Sequence, residues 1–291
     1  MKSFPSVSTG IKGLDKVLGH LQTGDNVVLQ VDSIEDYQSF VTPFVREALA
    51  NNERVVYIRF AHHAPLLEET RKIAVYKLNP DAGFESFSTQ VHNIIRQEGR
   101  DVFYVFDSLS DLLLAWATDL MIGNFFVITC PYLFELNTVA YFAIIRGRHS
   151  FKTVARIRET TQVLLDVYGF EGKTCVHPLK CWQRYSPTMF LPHVREGEAF
   201  VPIMNSVEAT RLFAALADRS AVDAERHLDY WDRAFLKARD LAGDEAAVEE
   251  RKDLVDQLSR VLIGREKRML SLVREYFTLE DLLAIKDRLI G

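Results

Sequence analysis

Four short apolar runs, at residues 27–31, 54–60, 102–106 and 125–129, are separated by stretches with helical spacing. No other feature restricts the fold as much. A strand with one face in water alternates apolar and polar residues. A run as apolar as Val27-Val28-Leu29-Gln30-Val31 is buried on both faces. Strands of that kind separated by helices imply an α/β fold, a mostly parallel sheet with helices on both faces. The spacing predicts helices at 40–50, despite Pro43 near the start, at 66–73 and at 87–97, and a short strand at 75–78. In the third of these helices Val91, Ile94 and Ile95 share one face.

The pattern then changes. Two helices at 137–146 and 150–160, joined at Gly147, precede two strands at 163–168 and 173–185 that read as an antiparallel addition. Pro187, Pro192 and Pro202 punctuate an irregular segment. From Ser206 the chain reads as helix throughout, in pieces at 209–217, 224–241, 245–277 and 279–289. These 291 residues are enough for one large domain and a smaller one. A boundary near residue 202 gives an α/β domain at 1–202 and a helical linker or docking region at 203–291.

A net charge of −5 argues against a general binder of nucleic acid or anionic membrane. No apolar run approaches the roughly 18 residues that a membrane span needs. The cysteines, Cys130, Cys175 and Cys181, form no CxxC pair, so neither a disulfide framework nor a zinc site is indicated; they read as free thiols of a cytoplasmic protein.

The most specific segment is Ser8-Thr9-Gly10-Ile11-Lys12-Gly13-Leu14-Asp15-Lys16-Val17-Leu18-Gly19. Thr9 is placed to cap a short helix whose Ile11, Leu14 and Leu18 share one face, and Gly19 and Gly24 allow the turns into the next strand. The segment resembles the entry to the RecA-like domains of the KaiC family, and the resemblance extends over residues 6–185. It implies a P-loop ATPase skeleton: a glycine-rich phosphate loop after the first strand, two acidic residues ending the second, and a magnesium-binding aspartate ending a third.

The first two of these parts are missing. A phosphate loop works through bare backbone amides and a lysine. Its place is taken by Asp32-Ser33-Ile34-Glu35-Asp36-Tyr37-Gln38-Ser39-Phe40, with no glycine and no lysine, and with Asp32, Glu35 and Asp36 set to repel a polyphosphate. His62 and His63 stand at the vestigial catalytic-acid positions. Asp107, after Val102-Phe103-Tyr104-Val105-Phe106, keeps the vestigial magnesium position and is expected to cap the following helix. If His62, His63 and Asp107 met at the strand ends they would suggest a metal site. Adjacent histidines more often point apart, so no metal, cofactor, nucleotide-binding or catalytic residue is expected.

Arg146, Arg148, His149, Lys152, Arg156 and Arg158 form the one basic cluster. Nucleic acid would require aromatic residues among them, and only Phe151 is there. A solvated face or a protein interface through Arg146, Arg148, Lys152 and Arg156 is the expectation. The segment from Trp182 to Phe190 reads as packing. The ending Leu289-Ile290-Gly291 is similar to the approach to the nucleotide-binding domain of phosphoenolpyruvate synthase and pyruvate-phosphate dikinase. That resemblance implies a catalytic domain following in the same polypeptide. The expected role is thus a non-catalytic regulatory or assembly domain, homo-oligomeric, without membrane or nucleic-acid partners. The alternatives are an ATPase or kinase with an unusual phosphate site, and a stand-alone signalling or scaffold protein.

Overall fold

Val27, Leu29 and Val31 project to one side of their strand and Val28 to the other, and all four are buried. Two apolar layers therefore form on the two faces of one sheet. The computed structural model describes residues 5–116 and 119–216. In chain order the elements are β1 (Ser6–Val7), α1 (Lys12–Leu18), β2 (Leu21–Gln22), β3 (Asn26–Val31), α2 (Ile34–Ala50), β4 (Arg54–Arg59), β5 (Ile73–Lys77), α3 (Phe84–Glu98), β6 (Val102–Ser108), α4 (Leu120–Glu135), β7 (Val139–Ile145), α5 (Phe151–Thr160), β8 (Val163–Phe170), β9 (Lys173–Cys181), β10 (His193–Glu196) and β11 (Ala199–Pro202).

Nine strands form one sheet in the order β11-β10-β9-β8-β3-β7-β6-β4-β5, and β1 pairs with β2 alone. The run from β8 to β5 is parallel, and β9, β10 and β11 add on antiparallel. The α/β class and the mostly parallel sheet are as the apolar runs require. α1 and α2 pack on one face, where the ring of Phe44 stacks on Tyr141 at 4.1 Å. α3, α4 and α5 cover the other, over Tyr104, Phe106 and Phe142. Each buried aromatic ring on either face contributes roughly 1.5–3 kcal/mol.

Three expected elements are corrected. Residues 125–129 are not a strand but the middle of α4, and 137–146, expected as helix, contains β7 instead. A short apolar run has no periodicity that separates a buried strand from a buried helix. The deciding feature is Asn137, in the left-handed region at φ 55, which ends the helix and turns the chain into the β-branched and aromatic run Val139-Ala140-Tyr141-Phe142-Ala143-Ile144-Ile145. Residues 66–73 are not helical. There the backbone bonds to side chains: Leu66 N–H donates to the Tyr57 hydroxyl at 3.1 Å, and Leu66 C=O accepts from Gln38 Nε2 at 3.0 Å.

Thr9 is not the N-cap of α1; that position is Ile11, with no side-chain cap. Asp15 does the fastening instead, accepting from Ser8 Oγ and Thr9 N, each at 2.7 Å. The glycines of this segment permit close approach. A Cβ on Gly10, at φ +75, would lie 2.2 Å from Pro43 O, and one on Gly13 would lie 2.3 Å from Glu198 O in the β10–β11 turn. The segment is thus a bracket between α2 and the last hairpin. The proline-marked segment expected to be irregular contains that hairpin. The helix expected from 209 begins at Ser206 and is described as far as Leu216. The later expected helices and Leu289-Ile290-Gly291 lie outside the described residues.

Candidate functional site

In an open α/β sheet ligands bind at the carboxyl ends of the strands, where neighbouring strands feed helices on opposite faces. Here that place is the end of β3. Its chain continues into α2 on one face, while α5 carries the connection from β7 to β8 across the other. The crest of the sheet at this point is built from Asp32, Ser33, Arg146 and Asp166.

Arg146 fills the crest. Its Nε donates to Asp32 Oδ1 at 2.7 Å, its Nη2 is 2.7 Å from Asp166 Oδ1, and Nη2 also donates to Val167 C=O at 2.9 Å. The guanidinium lies over the Tyr168 ring, 5.6 Å from its centre. Burial alone would lower the affinity of this guanidinium for its proton, but Asp166 and Asp32 outweigh it and hold the group above its ordinary value. Three strands are thereby tied through one planar cation.

The start of α2 is closed in the same way. A helix N-terminus offers unpaired N–H groups to an anion. Ser33 Oγ accepts from Asp36 N at 3.2 Å, and Asp36 Oδ2 accepts from Ser33 N at 3.0 Å, a reciprocal capping box. The anion at this N-terminus is the chain's own Asp36. Glu35 is exposed beside it.

Asp107 does not cap the turn that follows it, as expected, but reaches across to β4. It is fully buried, and accepts from the Tyr57 hydroxyl and from the backbone of Phe60 and Ala61, both at 2.9 Å. Arg59, which sequence reasoning did not single out, supplies the counter-charge at 3.6 Å and donates to His63 C=O at 2.8 Å. Burial, and then the Asp107 carboxylate, push the Tyr57 hydroxyl well above its ordinary pKa, so it stays protonated and donates. His62 is exposed and His63 is turned inward, so the two point apart. His63 Nδ1 donates to Ala64 C=O at 2.7 Å, and Nε2 is 3.7 Å from Asp107 Oδ1. Among the described residues no three His, Cys, Asp or Glu side chains gather as metal ligands.

A serine–histidine pair was also missed. Ser110 Oγ lies 2.7 Å from His149 Nε2 and accepts from Ile145 N at 2.8 Å. Burial pushes His149 down to about 4, with Asp119 opposing and Arg148 assisting. The imidazole is therefore neutral near pH 7 and Nε2 accepts the serine proton. This is a nucleophile–base distance, but Ser110 is only 1% exposed and His149 Nδ1 has no hydrogen-bond partner to orient it. The pair fastens the end of β7 to the turn at Leu109–Leu114.

The basic cluster disperses. Arg146 is engaged in the crest, and Arg156 lies over Gly123 and donates to Asn124 Oδ1. Arg158 bonds weakly to Leu179 C=O, at 3.4 Å, while Arg148 and Lys152 are exposed. Trp182 packs edge-on against Phe134, Arg184 is buried against Asp25 at 2.8 Å, and Met189 is in the core, although Tyr185 is exposed. No helix among the described residues is long and apolar enough to cross a membrane. No family model matches the chain, and no curated protein sequence matches it.

Proposed function

We propose that this chain is a degenerate RecA-like domain of the KaiC type, with a non-catalytic regulatory or assembly role. The observation that carries the reading is the crest. At the strand end where such a domain would hold phosphate, Asp32 and Asp166 both engage Arg146 and leave a net negative charge, and Ser33 and Asp36 occupy the N-terminus of α2. A polyphosphate arriving there would have to break a capping box and displace a carboxylate from its arginine, with no lysine or glycine loop in return. The position of the Ser8–Gly19 bracket directly before the central strand β3 supports the RecA-like part of the proposal. Asp107 and His63 then belong to a structural hub, and His62 stays on the surface. The role for a phosphoenolpyruvate synthase-like enzyme rests on sequence resemblance alone.

Titration calorimetry with magnesium-ATP, together with a phosphate-release assay, tests the proposal. The expected outcome is no heat of binding and no turnover. Binding with a dissociation constant of about 10 μM or tighter, lost in Arg146→Ala or Ser33→Ala, would sink it.

A further inference from the structure

From Leu120 to Phe134, α4 carries no charged side chain. One side is buried through Ile122, Phe125, Phe126, Cys130 and Leu133. The opposite side exposes Asn124, Val127, Ile128 and Pro131, with Val127 46% and Ile128 44% accessible. A helix that faces only water carries charge there.

The charges lie at the two ends of this stripe. α4 and α5 both run from the crest towards the foot of the sheet. At the crest end Arg148 and Lys152 are exposed and make no ion pair among the described residues, near Asp119, whose carboxylate accepts from Ser150 N; Arg156, one turn further along α5, has only the neutral Asn124 as its side-chain partner. At the foot Glu135 is exposed on α4 itself. Glu159 is also at the foot, but it shares its end of α5 with Arg158 and with Lys180, whose ammonium bonds to the carbonyls of residues 158 and 159 at 2.7 and 2.9 Å. Exposed Arg100 and Asp101 flank the same end, the Asp101 N–H donating to Leu136 C=O at 3.1 Å, and Glu135 is the carboxylate that α4 itself carries.

We propose that α4 is the centre of a two-fold contact with a second copy of this chain, α4 packing antiparallel on its counterpart. A closed two-fold contact has to be self-complementary. An uncharged middle with a cationic and an acidic end meets that condition in the antiparallel sense alone, because a parallel pairing would set cation on cation. With the axis at Ile128, Met121 and Glu135 are each seven residues away, about 10 Å along the helix. Glu135 of one copy then comes opposite Met121 of the other, within a turn of the place where Arg156 crosses α4, and Lys152 stands one turn of α5 nearer the crest than Arg156. This contact does not depend on whether the crest descends from a nucleotide site. Four half-exposed side chains fall short of the roughly 800 Å² per partner of a standard interface, so the dimer is weak and sensitive to salt.

Sedimentation equilibrium of the full 291-residue chain tests this. A monomer–dimer equilibrium that weakens with added salt is expected, and Ile128→Lys weakens it by about tenfold or more. Lys152→Glu and Glu135→Lys each weaken it, and the two together in one chain restore it, because each copy then offers the swapped pair to the other. Thermal unfolding shows that each variant keeps its fold; should Ile128→Lys lower the midpoint, Val127→Ser is read in the same way. A chain that stays monomeric up to about 100 μM in low salt overturns the proposal, and leaves the stripe to a different partner. So does a dimer indifferent to Ile128→Lys and Val127→Ser, or a double charge variant no tighter than its parents.

Discussion

Asp107 is a fully buried side chain, and what it holds is the end of a neighbouring strand. Its two oxygens serve the Tyr57 hydroxyl and two backbone amides, with Arg59 and His63 behind. Asparagine at this position keeps one acceptor and turns two N–H groups towards donors. Asp107→Asn should therefore destabilise by about 3 kcal/mol, several times a lost helix cap, as read from urea unfolding midpoints. A change below about 1 kcal/mol would return Asp107 to the capping role expected from sequence.

His149 makes a second prediction at this scale. Its folded pKa is depressed to about 4 by burial, against about 6.5 unfolded. Between those values the unfolded chain binds more protons. Its contribution is thus complete above about pH 6.5 and is lost as the pH falls towards 4, up to about 3 kcal/mol. His92 and His193 are also lowered by burial, so the wild-type profile sums several groups. The difference between wild type and His149→Gln isolates the one: it should grow from pH 4 to 6.5 and level off above. An unchanged slope would place His149 in solvent. Neither residue was legible in full. Asp107 stood out as the acid ending an apolar strand, but its partners Phe60 and Ala61 lie 47 and 46 positions away. The Ser110–His149 pair, 39 positions apart, had no local signal at all.

Among the elements, α3 with its one apolar face was legible, and so were the short apolar strands β3, β4 and β6, but the apolar helix α4 was not. Val91, Ile94 and Ile95 placed α3 correctly because its other face is polar. In α4 the Phe125-Phe126-Val127-Ile128-Thr129 run is apolar on both sides, so strand and helix read alike, and the error carried forward into β7. The Ser8–Gly19 bracket was legible as a segment but not as a joint, because the hairpin it touches is some 185 residues later. Gly13→Ala tests the joint. Its Cβ would meet the backbone of Glu198 and Ala199, which cannot rotate away. The expected loss is about 1–3 kcal/mol, with faster hydrogen exchange confined to β10 and β11. Uniform exchange across the sheet, with no loss of stability, would show that the hairpin does not rest on α1.

For the molecule as a whole, the sequence predicted a parallel sheet covered on both faces, and the order of its strands was beyond it. Order depends on which crossover goes to which face, and no residue of β3 announces that β7 and β8 will flank it. The antiparallel addition was legible from the pair at 163–168 and 173–185, since a tight turn at Glu171-Gly172 permits little else. Its purpose emerges only in three dimensions. Arg184 at the end of this addition reaches back to Asp25 before β3, a pair only 6% and 2% exposed. Burial raises the Asp25 pKa, against the opposing pull of Arg184.

The closure of the crest by Arg146 has a consequence for how such a chain can change. Replacing Asp32 with glycine would leave Arg146 Nε without its acceptor; replacing Arg146 first would leave Asp32 and Asp166 without their shared cation; opening the Ser33–Asp36 box alone would unpair the start of α2. Every single step towards a phosphate cradle goes downhill in stability before any ligand can compensate. That path is closed by mutual dependence, so the arrangement behaves as a ratchet. A graft of glycines and a lysine into residues 32–40 would have to change Arg146, 114 positions away, in the same stroke.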